Sequence, residues 1–168
     1  MRKDRKQDLL VLGAISTVTG LWLNLPLLAQ PLQYKTTPMF ENVKLSPDFT
    51  PDVLTVRGLS GGPISAQNTA GREDSPTGPC IGFVDEKPDH KIVLTGFFKY
   101  LSLRVQSSED TVLVVRGPGG SWCNDDYQDM NPGIAGQWLS GTYEIWVGSY
   151  TPDRYHPYVL EITHQQQN

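Results

Sequence analysis

The chain has 168 residues, 38% of them hydrophobic, and a formal charge of −4 at neutral pH. That length holds one domain and a targeting segment. A negative chain with no basic cluster beyond its first residues argues against nucleic acid, whose binding is carried by Lys and Arg.

Arg2, Lys3, Arg5 and Lys6 open the chain. Leu9 to Leu28 is then largely apolar, interrupted by Ser16, Thr17, Thr19 and Asn24, and Pro26 ends any helix there. This order predicts a secretory signal peptide over residues 1–29, with cleavage after Ala29. Leu27 stands where a small residue is preferred, so an uncleaved anchor is the alternative and the only membrane contact expected. The chain is therefore expected to be exported, to a periplasm or beyond the cell. Cleavage removes four basic and two acidic side chains and leaves the mature chain more acidic still.

Residues 30–79 read as an extended, loop-rich leader. Pro31, Pro38, Pro47 and Pro51 interrupt Gln30 to Asp52, which has no clear period. Val53 to Arg57 is a candidate short strand, Gly58 to Gly62 a turn, and Ser65 to Pro79 a polar loop. The compact domain is placed at residues 80–168.

In that domain short strands are expected at Cys80 to Val84, Lys91 to Thr95, Phe97 to Gln106, Thr111 to Arg116, around Trp122, at Tyr143 to Val147 and at Tyr158 to Thr163. Ile92 and Leu94 share one face, as do Tyr158, Leu160 and Ile162. Within Phe97 to Gln106 the pattern puts Phe97, Leu101, Leu103 and Val105 on one face, with Lys99 as the exception. Gly133 to Leu139 is read as one helical turn. Sixteen Gly and thirteen Pro suit turns better than helices. Many short strands with turn signals between them predict an all-β sandwich.

Cys80 and Cys123 are the only cysteines. In an exported chain a pair suggests a disulfide, and a metal site would need more Cys or His partners than are evident. Asn124, Asp125 and Asp126 sit together, and Asp110 and Asn131 add further oxygen donors. Adjacent carboxylates repel, so such a loop calls for a cation, basic side chains or backbone N–H groups, and calcium is the candidate ion. The spacing is not that of an EF-hand, and Asp and Asn also cap turns. Trp122, Tyr127, Trp146 and Tyr150 form a candidate binding surface for a glycan or peptide, with core packing as the alternative for each. His90, His156 and His164 are read as exposed or turn residues.

Gly58-Leu59-Ser60-Gly61-Gly62-Pro63 fits the G-x-S-x-G pattern and looks like the GDSGGP of trypsin-like proteases, with Leu59 in place of Asp. A small secreted hydrolase using Ser60 is therefore the rival function. It lacks an upstream His, and the residues after Ser60 make a poor helix.

DTVLVVRGPGGSWCNDDY, then NPGI, SGTYEIWVGSY and YVLEI resemble the bacterial pre-peptidase C-terminal domain over about Cys80 to Thr163. Asp110 to Leu113, Asp125-Asp126 and Gly141 to Val147 carry the likeness. The resemblance implies a jelly-roll-like antiparallel β-sandwich, exported and usually appended to secreted peptidases. Some members of that family bind calcium through acidic residues, and some bind polymers. No peptidase precedes the match, so a stand-alone, non-catalytic module is expected, with an envelope polymer or protein as partner.

Overall fold

The computed structural model describes residues 39–127 and 129–165. The expected signal peptide, residues 1–29, and the first part of the expected leader lie outside them. In chain order the elements are β1 (Asn42–Leu45), β2 (Val53–Leu59), β3 (Ile64–Ser65), α1 (Ala66–Ala70), β4 (Asp74–Ser75), β5 (Gly78–Pro79) and β6 (Phe83–Val84). They continue as β7 (His90–Leu94), β8 (Phe98–Ser107), β9 (Thr111–Gly117), β10 (Gly120–Asn124), β11 (Gly133–Trp138), β12 (Gly141–Ser149) and β13 (Pro157–Thr163).

Two sheets make the sandwich. The first runs β1-β7-β12-β9-β10, with β6 and β3 continuing beside the C-terminal end of β12. The second runs β11-β8-β13-β2 and is antiparallel throughout. Between the described strands only β1 and β7 pair in parallel. The expected all-β, jelly-roll-like sandwich is the fold found.

Alternation decides what lies between the sheets. Leu113, Val115, Tyr143, Ile145 and Val147 project inward from the first sheet and meet Leu101, Leu103, Val105, Leu160 and Ile162 from the second. Each large side chain fully buried there contributes roughly 1.5–3 kcal/mol. The other face of the first sheet is also covered. Val112, Val114, Cys123 and Trp146 point away from the main core and pack under Ala66 of α1, Cys80 and Val84. Residues 66–80 thus form a partial third layer.

Three expectations need correction. The domain does not begin at Cys80. β2 pairs with β13 over its whole length, and β1 extends the first sheet with Val43 and Leu45 buried. β2 is an edge strand with only Val56 fully buried, which is why its pattern is faint. Gly133 to Leu139 is no helical turn, since Gly133–Trp138 is β11; the short helix is Ala66–Ala70 instead. In β8 the face changes near Lys99. Gly136 pairs with Leu101 but Trp138 with Phe98, so β8 carries an extra residue. That bulge turns Phe98 inward and leaves Phe97 48% exposed.

Candidate functional site

Cys80 and Cys123 are bridged, with a sequence separation of 43 and both residues buried. The bridge fastens the 66–80 segment to β10. Hydrogen bonds reinforce it: Thr77 Oγ1 donates to the Cys123 carbonyl at 2.7 Å, and the Cys123 N–H donates to Ser75 Oγ at 2.9 Å.

The clamped layer settles Trp146. Its side chain is 3% exposed, and the Arg116 guanidinium lies 5.4 Å from the ring centre. Trp146 is therefore packing and not part of a binding surface. The other three aromatics do not share one face with it. Tyr127 is exposed beneath the Arg104 guanidinium, 5.0 Å from its ring centre. Tyr150 is exposed beside Glu109, Asp110 and His156. Trp122 is half-buried at the flank between the two sheets.

In the acidic loop the two asparagines hold the chain together. Asn131 Oδ1 accepts from the Ser107 N–H and the Thr111 hydroxyl, both at 3.1 Å, and its amide nitrogen donates back to the Ser107 carbonyl. Asn124 bonds the Thr77 carbonyl and the Gly133 N–H. The carboxylates are not satisfied in this way. Asp110 and Asp125 each have one buried oxygen without a hydrogen-bond partner. Burial, then the charges of Asp126 and Asp110, push Asp125 up to about 6. Asp110 is raised too, by burial and by Asp126. Among the described residues no three His, Cys, Asp or Glu side chains are grouped as metal ligands.

Ser60 is fully buried, and its hydroxyl lies 3.0 Å from that of Ser149. His156 meets it through the backbone N–H, at 3.3 Å, and not through the imidazole. No elbow supports it either, because β2 leads into a loop and the two-residue β3. Gly61 and Gly62 have φ values of 113° and 136°, where side chains are strained. A Cβ on either would collide with backbone, at Arg154 and Val84 respectively. The glycines serve close loop packing, and the nucleophile reading of Ser60 is overturned.

A concave site does exist where the edges β10 and β11 leave the sandwich flank open. This groove, about 260 Å³, has Trp122, Trp138 and Tyr143 in its wall, Ile134 and Leu139 beside them, and Pro118 and Gly119 at its lip. The Trp122 and Trp138 ring centres are 6.5 Å apart, and Trp138 meets Tyr143 edge-on at 4.9 Å. Polar atoms of the wall turn into the protein. Trp138 Nε1 donates to the Leu101 carbonyl at 2.9 Å, and the Tyr143 hydroxyl to the Leu139 carbonyl at 3.0 Å. Gln137 is the exposed amide of the lining. Among the described residues that line the groove, none is charged.

No family model matches the chain, and no curated protein does. Among solved structures it is similar to the pre-peptidase C-terminal domain of collagenase from Bacillus anthracis. The identity is 10% and the TM-score 0.43, with 76% of this chain and 100% of that one covered.

Sequence reasoning missed the buried polar pair Asp89 and His90, and His90 is no exposed turn residue. It is fully buried. Its Nδ1 lies 3.0 Å from the Glu41 carbonyl, which can only accept, so Nδ1 carries the proton. Nε2 then accepts from the Tyr158 hydroxyl at 2.8 Å. Burial holds the imidazole pKa below its ordinary value. Asp89 is 1% exposed; one carboxylate oxygen accepts from the Val147 N–H and the other has no partner. Burial raises its pKa well above the usual range, and Asp85 adds to the effect.

A raised carboxyl pKa sets the sign of a pH dependence. The unfolded chain loses its Asp89 proton near pH 4 while the folded chain keeps it, so stability falls as pH rises from there towards the folded pKa. Asp89→Asn cannot ionise. Its stability relative to the parent should climb with pH from about 4 upward, by up to roughly 1.4 kcal/mol per pH unit, for as long as the folded carboxyl stays protonated. Urea unfolding of both proteins across that range gives the difference, and parallel curves would refute a raised pKa.

Proposed function

We propose that this chain is an exported, non-catalytic β-sandwich module. It binds a polymer or protein partner at the cell envelope or outside the cell, and calcium steadies its acidic loop. The observation that carries the reading is the buried Cys80–Cys123 bridge. Such a bridge persists in an oxidising compartment and not in a reducing cytoplasm, which agrees with the basic and apolar start of the chain. The seclusion of Ser60 supports binding over hydrolysis, and the open flank groove offers a concave surface for a partner.

Calcium fits the loop chemically, because it takes hard oxygen ligands. Asp110 and Asp125, whose buried oxygens lack partners, would be its carboxylate ligands, with backbone carbonyls and water supplying the rest, because no three carboxylates are grouped among the described residues. The ion would supply the positive charge that the two unpartnered carboxylate oxygens lack.

One experiment addresses both parts. The exported protein is sedimented with cell-envelope fragments, in calcium and in chelator, and its melting temperature is taken in both. Saturable retention is the expected result. Calcium at about 10 mM should stabilise the fold by about 1.4–2.7 kcal/mol if its Kd is about 10⁻⁴–10⁻³ M, and Asp125→Asn/Asp126→Asn should lose that gain. Absence of retention in both buffers contradicts the binding role, and an unchanged melting temperature contradicts the calcium site.

A further inference from the structure

We infer that the flank groove between β10 and β11 is a binding site for a neutral sugar ring within a polysaccharide. This rests on the binding role proposed above and names the chemistry it recognises.

Three observations carry it. First, the lining is uncharged although the chain as a whole bears −4, so the occupant is neutral. An anionic or cationic ligand would give up hydration here and gain no counter-charge. Second, the wall is aromatic. Trp122 and Trp138 are tilted by only 36° to each other, and Gly119 leaves the Trp122 ring uncrowded at the lip: a Cβ there would stand 3.4 Å from it. The C–H face of a pyranose is apolar and packs on such a ring while its hydroxyls stay at the rim. Third, the hydrogen-bonding groups match that orientation. The indole N–H of Trp138 and the Tyr143 hydroxyl are bonded inward and both rings are buried, so they back the groove and the half-buried Trp122 ring is the apolar face open to a ligand. Gln137 offers a neutral donor and acceptor at the exposed margin. A few polar groups set around an apolar floor are the usual make-up of a small-ligand site.

An extended peptide added to β11 fits less well. The Gly133 N–H at the start of that edge is already taken by Asn124 Oδ1 at 2.8 Å. The register shift between Gly136 and Trp138 breaks the regular edge further along.

The test titrates the exported protein with neutral hexasaccharides (gluco-, manno-, xylo- and N-acetylglucosamine-based), followed by calorimetry. A hexauronate and a proline-rich decapeptide are the controls. The expected result is binding of at least one neutral oligosaccharide and of neither control, weakened roughly tenfold or more by Trp122→Ala. Gln137→Ala should weaken it several-fold, and as an exposed change it leaves folding intact; circular dichroism checks that Trp122→Ala is folded. No binding by any neutral oligosaccharide, equal binding by Trp122→Ala, or binding of the peptide alone would overturn the assignment. Envelope retention by the parent protein with no sugar binding would sink the sugar site and leave the broader binding role standing. Loss of both would remove the two together.

Discussion

Trp146→Ala should cost about 3–5 kcal/mol of stability, the range for emptying a buried aromatic site, with ligand binding changed only as far as the fold is lost. Trp146 lies on the outward face of β12, where a sequence reading offers it to solvent. Instead it is 3% exposed, beside Val84 and under the layer that carries α1 and Cys80. Truncation leaves a cavity between that layer and the sheet, and the Arg116 guanidinium loses the ring it lies over. Tyr150→Ala is the control, because Tyr150 is 55% exposed and its loss should fall within about 0.5 kcal/mol. Urea denaturation followed by circular dichroism measures both. A Trp146→Ala cost below about 1 kcal/mol would mean that the outer layer does not pack on the sheet as described.

Removal of the disulfide is the second large effect. Opening a loop with a sequence separation of 43 restores about 4 kcal/mol of chain entropy to the unfolded state, and small exported domains lose roughly 2–5 kcal/mol in practice. The loss has a local consequence as well. Ser75, Thr77 and Ala70 share hydrogen bonds with β10, but between its chain ends at β3 and β6 the segment has no other covalent cross-link to the sheet. In Cys80→Ser/Cys123→Ser that segment should open below the global transition, and Trp146 should become accessible. Hydrogen exchange would show amides near Ala70 and Ser75 losing protection before those of β12 and β13. Unchanged protection there would mean that the hydrogen bonds alone hold the layer.

The two effects show what was legible in the sequence. The strands β7 and β13 stand out because burial alternates along them, and β9 and β12 because a run of β-branched and aromatic residues is buried on both faces of the sheet. β1 and β2 were assigned to a leader because edge strands bury little: a four-residue strand and one with a single fully buried side chain leave no period to read. The pattern of β8 points Phe97 inward because a bulge adds a residue without marking it in the sequence. β11 does not read as a strand because its two glycines weaken any strand signal.

For the site the limit was different. The amide of Asn131 can ligate an ion or fasten a turn with the same oxygen. Only the position of Ser107 and Thr111, far away in sequence, decides for the turn. Asp110 and Asp125 carried the same ambiguity, and the structure leaves each with an unpartnered oxygen. The disulfide was legible because an even cysteine count and the export expected from the chain's start point to it without geometry. The groove was not, because Trp122 on β10 and Trp138 on β11 face one flank only once both sheets are assembled.

Export and the bridge are most directly tested together, by mass spectrometry of non-reduced protein secreted or released from the periplasm of producing cells. The expected species begins at Gln30 and contains the peptides of Cys80 and Cys123 linked to each other. Full-length protein retained in the cytoplasm with two free thiols would contradict it.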